Sequence, residues 1–254
     1  MLVRQLQLFL IAIGFFTRIP IPASITIDAE RLNQASRYFA AVGIVVGLIS
    51  AFTYLLLAQW LPASIAIVAA MVMSVIATGG FHEDGLADTA DGFGGGWTVD
   101  DKLAIMKDSR LGTYGALALV LALLAKFVLL TEVALIDDYF VAVALVVGHC
   151  LSRMLAASMI FSATYVRDTQ SKSKPLASSQ TANELGILLA TGAAVLWLSP
   201  LEHYLSLIVC LGLTRFILLW GFKRQIGGYT GDTLGAAQQV SELVIYLFIL
   251  VVLA

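Results

Sequence analysis

What most constrains this chain is a series of long apolar runs almost free of charge, at residues 38–60, 63–78, 112–131, 139–163, 184–199, 203–221 and 235–254. Most approach the ~20 residues that a helix needs to cross the hydrocarbon layer of a bilayer. Pro62, Pro200 and the Asp137-Asp138 pair punctuate the runs as tight connections. The chain is 59% hydrophobic and only 13% charged, with a mean hydropathy of +0.91. Water-soluble packing cannot hide that much apolar surface, so the expected fold is all-α: a polytopic membrane helix bundle with about seven transmembrane helices. A further short apolar stretch, residues 6–16, follows Arg4 and resembles a signal segment. It is equally suited to an interfacial or re-entrant helix, and it is read here as part of the mature protein. The two cysteines, Cys150 and Cys210, lie inside apolar runs with no metal-ligand spacing, which argues against zinc or a disulfide framework. The formal charge of −2 offers no basic surface for nucleic acid.

Orientation follows from the cationic loops, which are retained on the cytoplasmic side. With Arg18, Arg31 and Arg37 inside, alternation places Lys102, Lys107 and Arg110, then Arg167, Lys172 and Lys174, then Lys223 and Arg224 inside as well. The opposite loops carry no Lys or Arg. Because Arg4 and Arg18 flank the first apolar stretch, placing both inside favours a segment that does not cross. Every chemically rich loop then faces the cytoplasm. No internal repeat or separate soluble region is evident, so residues 1–254 form a single integral membrane domain with cytoplasmic active-site loops, in the inner membrane of a bacterium. Whether copies of the chain associate into a homo-oligomer is left open by the sequence.

The densest chemistry lies in residues 80–92, GFHEDGLADTADG, where aspartates recur at i, i+4 and i+7. If helical, Asp84, Asp88 and Asp91 occupy a sector of about 60° on one face. At ~6 Å and an effective dielectric near 20, each unscreened pair repels by roughly 2 to 3 kcal/mol. A cation is expected among them, and hard oxygen donors select Mg²⁺, Mn²⁺ or Ca²⁺ over zinc or copper. The bland alternative is a solvated acidic face ending a span. Ionisable groups abutting an apolar span point instead to function. His82 suits a metal ligand or proton acceptor, or merely a polar cap at the end of the span; its spacing does not decide. Glu83 points about 100° away from Asp84 on a helix. Gly85 and Gly92 weaken the helix but admit a close neighbour.

Lys107 and Arg110, three residues apart around Ser109, suit anionic oxygens such as phosphate, or are simply flanking charge. Arg153, one helical turn after His149, shares its face inside an apolar run and points to the bundle interior. Lys126, also inside a run, has no polar residue at helical spacing and is expected to pair with a carboxylate. The loop Gly228-Tyr229-Thr230-Gly231-Asp232 opens the last run: its amides could cradle phosphate, and Asp232 could ligate metal or cap the helix. Gln239 and Glu242 continue on the face of Asp232. Gly43 with Gly47 forms a small-xxx-small pair suited to helix packing.

Taken together, residues 82–92, residues 106–112 (MKDSRLG) and residues 228–236 (GYTGDTLGA) resemble the cobalamin synthase (adenosylcobinamide-GDP ribazoletransferase) family. The resemblance implies an Mg²⁺-dependent transfer, with Mn²⁺ able to substitute. In it the 5′-hydroxyl of α-ribazole, or α-ribazole 5′-phosphate as an alternative acceptor, attacks adenosylcobinamide-GDP, giving adenosylcobalamin, or its 5′-phosphate, and GMP. The partners implied are corrinoid and nucleoside small molecules and the lipid bilayer. On this reading Asp84, Asp88, Asp91 and Asp232 hold metal. Lys107, Ser109, Arg110, Arg153, Gly228, Thr230 and Gly231 hold substrate, and His82 or an aspartate such as Asp91 accepts the hydroxyl proton. Two rivals remain at this stage. One is a CDP-alcohol phosphotransferase, whose acidic signature begins like Asp84-Gly85-Leu86-Ala87 but continues differently. The other is an ion-coupled transporter.

Overall fold

A computed structural model of the chain describes residues 2–166 and 177–254. The basic loop carrying Arg167, Lys172 and Lys174 lies outside the described residues. Eleven α-helices make up most of the described chain: α1 (Leu2–Phe16), α2 (Ala29–Ala35), α3 (Phe39–Leu57), α4 (Ala63–Thr78), α5 (Phe81–Gly95), α6 (Val99–Lys107), α7 (Thr113–Ile136), α8 (Asp138–Ser162), α9 (Ala182–Leu198), α10 (Tyr204–Ile226) and α11 (Gly231–Leu253). Helix starts follow side-chain capping: Asp137 accepts from the Tyr139 amide at 2.9 Å, and Thr230 accepts from that of Thr233 at 3.2 Å.

The expectation of an all-α membrane bundle holds. Five helical segments are long and apolar enough to cross: the 29-residue rod Ala29–Leu57, α7, α8, α10 and α11. A sixth crossing is formed if α4 and α5 count as one broken span, bent by 87°. α9, at 17 residues, and α1, at 15, are apolar but shorter. The seven expected runs thus all become helices, while the length criterion supports five or six crossings.

α8 is the axis of the bundle, buried along most of its length. α3 meets it backbone to backbone: a Cβ on Gly43 would lie 2.2 Å from the His149 carbonyl oxygen, and one on Gly47 2.7 Å from the Cα of Val146. Only residues without side chains permit that approach, which gives the small-xxx-small pair the packing role expected of it. Outward, α7 exposes Leu117, Val120, Leu121, Leu124 and Val128, and α10 exposes Leu205, Val209, Leu213, Phe216 and Trp220. Apolar stripes of that extent facing outward are stable only in lipid.

Candidate active site

The site is built at the corner between α4 and α5. α4 ends in two consecutive glycines in the left-handed region, Gly79 at φ 68° and Gly80 at φ 70°. A side chain is strained at such angles, so the paired glycines let the chain turn through 87° without strain. α5 therefore leaves the line of α4 and lies across the first turns of α7 and α11; it is not one of the five segments long and apolar enough to cross unaided. α5 and α11 touch at glycine: a Cβ on Gly85 would stand 2.8 Å from the carbonyl oxygen of Asp232 and 3.2 Å from the Cα of Gly235. Gly92 is similarly enclosed, with Met106 Cγ 2.5 Å from where its Cβ would be. Lys102 Nζ donates to Gln225 Oε1 at 2.6 Å, tying α6 to the end of α10. The chemically rich loops that the structure describes converge on one end of the bundle.

A cavity of about 800 Å³ opens at this corner, lined by Arg18, Thr78, Gly79, Gly80, Glu83, Asp84, Asp88 and Ser109, among others. Asp84 and Asp88 face it together, as their helical spacing predicts. Burial, and the negative charges of Asp84, Asp232 and Asp91, push the half-buried Asp88 carboxyl up to about 7. A group of carboxylates so strained by mutual charge fits a hard divalent cation, which would relieve it. Among the described residues no group of three or more His, Cys, Asp or Glu side chains is placed to hold a metal ion. A hard divalent ion here would have to bind through one or two carboxylates, with waters and substrate phosphates as its other ligands.

Asp91 lies in the same helical sector but at the far end of α5, and its surroundings differ. Its two oxygens accept from the backbone amides of Gly112, at 2.7 Å, and Gly115, at 2.8 Å. It is buried and caps the N-terminus of α7, a favourable place for negative charge. Sequence spacing grouped it with Asp84 and Asp88. The structure turns it away from the cavity those two line.

His82 is 4% exposed. Its ring stacks on Phe16 at 5.6 Å between centroids and meets Phe81 edge-on. Burial and the positive charge of Arg153 hold its pKa well below the usual imidazole range, so it is neutral. It opens not on the acidic cavity but on a small neighbouring one of about 40 Å³, shared with Phe15, Phe39, Arg153 and Gly231. There His82 Nδ1 and Arg153 Nε have no hydrogen-bond partner. The space is enough for water.

The expected phosphate-binding residues divide. Ser109 lines the acidic cavity. Lys107 stands exposed at the end of α6. Arg110 is exposed, and its Nε donates to both Asp108 oxygens at 3.0 and 2.9 Å. The glycine-rich loop is committed to structure: Tyr229 N–H donates to the Thr164 carbonyl at 3.0 Å, and Val166 N–H to the Tyr229 carbonyl at 2.8 Å. A Cβ on Gly228 would stand 2.1 Å from that same Thr164 oxygen. Thr230 N–H donates to Thr233 Oγ1 at 2.8 Å.

Behind α5 lies a buried ionic network. Lys126 Nζ meets Glu242 Oε1 at 2.9 Å, the carboxylate pairing expected for it, with both side chains almost wholly buried. Tyr246 OH donates to Glu242 at 2.8 Å. His149 Nδ1 stands 3.3 Å from the other Glu242 oxygen and 3.1 Å from Arg153 Nη1. Arg153 and His149 thus share an interior face as expected, but Arg153 belongs to this network and not to the acidic cavity. Gln239 links the network to the site, its Nε2 donating to Glu83 Oε1 at 2.9 Å while its Oε1 lies 3.3 Å from Lys126 Nζ. Glu83's 100° offset from Asp84 is what turns it towards α11. Arg18 and Glu83 are the cavity residues that spacing missed. Arg18 entered the sequence reading only as a loop charge, and no local pattern marks it.

The cobalamin-5-phosphate synthase family model matches residues 8–250. The chain belongs to that family. Its cobalamin-5-phosphate synthase relatives include the adenosylcobinamide-GDP ribazoletransferases of Shewanella pealeana and Shewanella halifaxensis. Each is 64% identical over 249 residues, covering 98% of this chain and 96% of the relative. That of Shewanella piezotolerans is 61% identical over 250 residues, with the same coverage of both chains. No solved structure matches the chain.

Proposed function

We propose that this membrane protein transfers the adenosylcobinamide phosphate group from adenosylcobinamide-GDP to a ribose hydroxyl of α-ribazole or of α-ribazole 5′-phosphate. The observation that carries the reading is the convergence of Asp84 and Asp88 on one cavity, within a chain that belongs along its length to the cobalamin-5-phosphate synthase family. The acceptor oxygen bonds to the phosphorus nearest the corrinoid, and the anhydride bond beyond that phosphorus breaks. GMP leaves with the bonding pair. Attack of an alcohol on a diphosphate needs charge neutralisation, alignment and a proton acceptor.

Asp84 and Asp88 are the residues that would hold Mg²⁺, which supplies neutralisation of the diphosphate charge when bound, and Asp232 of α11, whose backbone packs on Gly85, adds negative charge beside them. One of these carboxylates takes the hydroxyl proton. Ser109 on the cavity wall and Lys107 at the end of α6 help to hold the anionic donor. Asp91 sets the junction of α5 with α7, through which the acidic face is presented. The cationic loops support placing this end of the bundle on the cytoplasmic side of the inner membrane, where nucleotide substrates are found. Neither a CDP-alcohol phosphotransferase nor a transporter has an observation of its own to favour it.

The test is to incubate the purified chain in detergent with both cobamide precursors, with and without Mg²⁺, and to measure GMP release. Release that requires both precursors and the cation is expected. No GMP from wild-type protein in the complete mixture would refute the reading.

A further inference from the structure

The acidic cavity has one guanidinium in its wall, and the reading above gives it no task. Arg18 leaves α1 on a short connection whose backbone is pinned to the end of α4: its N–H donates to the Ala77 carbonyl at 2.7 Å. Its side chain then lies over the α4–α5 corner. A Cβ on Gly79 would stand 2.2 Å from Arg18 Nε and 2.9 Å from both Cζ and Nη2. Gly79 is therefore glycine for two independent reasons, its positive φ and the guanidinium lying against it. Among the described residues no hydrogen bond or ion pair is formed by the Arg18 side chain, although Asp84 and Asp88 line the same cavity. Arg110 offers a contrast, being held by Asp108.

We infer that Arg18 is the binding residue for the donor's diphosphate, fixed at the α4–α5 corner by the glycine beneath it and opposite the carboxylates. A guanidinium presents its donors in a planar fork that matches phosphate oxygens two at a time. The cavity supplies the complementary half, acids that hold a cation, so a diphosphate spanning the two is bound from both sides. Arg18 acts by contact with substrate, and no bond is made or broken on it. The inference rests on the donor being a nucleotide diphosphate, as proposed above.

The experiment uses the full-length chain in detergent. Wild-type GMP release is measured first, since its absence would defeat the functional reading and not this assignment. With turnover established, Arg18→Ala should raise KM for adenosylcobinamide-GDP by roughly tenfold or more and leave KM for α-ribazole unchanged. Arg18→Lys, which keeps the charge but loses the fork, should fall between. Inorganic pyrophosphate at fixed free Mg²⁺ serves as the binding probe: it should inhibit wild type competitively against the donor and lose potency about in parallel in both variants. Arg4→Ala, removing an arginine outside the cavity, controls for net charge and should change neither. An unchanged donor KM and pyrophosphate potency in Arg18→Lys, or their loss in Arg110→Ala instead, would overturn the assignment. So would equal effects on both substrates.

Discussion

Replacing Glu242 with glutamine removes the carboxylate that Lys126, His149 and Arg153 share. The carboxylate is fully buried, stands 2.9 Å from Lys126 Nζ, accepts from Tyr246, and faces His149 and the field of Arg153. Without it, the Lys126 amine and the Arg153 guanidinium lose this counter-charge in an apolar interior. Breaking a buried pair in this way costs about 3–5 kcal/mol, because the surviving charge is uncompensated. Lys126→Met is a different perturbation. It leaves Glu242 with Arg153 as a counter-charge and with the Tyr246 hydroxyl bonded, so the expected cost is about 1–2 kcal/mol. The two substitutions should also couple. In the double variant the lysine orphaned by Glu242→Gln is itself gone, and the combined cost should be less than the sum by about 1–3 kcal/mol. Reversible unfolding in mixed micelles, followed by circular dichroism, gives the three free energies. Lys126→Met costing as much as Glu242→Gln, or strict additivity, would refute a carboxylate shared among several cations and reduce the network to a single pair.

Three other outcomes follow from the site and its supports. Asp84→Asn should abolish Mg²⁺-dependent GMP release with little change in melting temperature, whereas Asp91→Asn should lower stability by about 1–3 kcal/mol by setting an amide N–H against a backbone donor; paired melting and turnover curves test this, and the reverse pattern would exchange the two roles. Because burial and neighbouring acids raise Asp88 to about 7, the folded state binds the extra proton between its ordinary value near 4 and that point. Stability without divalent cation should therefore decline as pH rises through this window and be lowest above it, while turnover climbs as Asp88 ionises; a melting temperature flat from pH 4.5 to 7.5 without Mg²⁺ would contradict the assignment. Finally, Gly43→Ala drives a methyl to 2.2 Å from the His149 carbonyl oxygen and should cost about 1–3 kcal/mol by parting α3 from α8, while Gly212→Ala, with open space around it, should be neutral. Equal melting temperatures for the two would count against backbone contact between α3 and α8.

The spans were legible because a charge-free run has few fates but a lipid-facing or buried helix: the run at residues 63–78 became α4 (Ala63–Thr78) without a shift at either end. The acidic helix was legible from its own spacing, and so was the face shared by Asp84 and Asp88. What spacing could not supply was the partner of each group. Asp91 sits in the right sector, but its fate is decided by amides 21 and 24 residues away that open another helix. Lys126 announced the need for a carboxylate, and Glu242 lies 116 residues on, a distance over which no local pattern survives. Arg18 was invisible because a lone arginine after an apolar stretch is ordinary flanking charge until the α4–α5 corner lies beside it. The glycine-rich loop shows a related limit. Glycines signal close approach, and here what approaches Gly228 is the backbone at Thr164.

The corner at Gly79 and Gly80 also sets the depth of the chemistry. α4 has 16 residues, about 24 Å of helix, against a hydrocarbon layer of about 30 Å. Trp60, largely exposed just before α4, is suited to anchoring the opposite end among the headgroups. If α4 alone crosses, the polar shelf formed by α5 is drawn towards the acyl boundary, and thinning of the bilayer or snorkelling of flanking side chains makes up the difference. Membrane thickness becomes a variable of the reaction: turnover in vesicles of lengthening acyl chains should fall once the shelf is submerged, and constant turnover across the series would place α5 clear of the lipid.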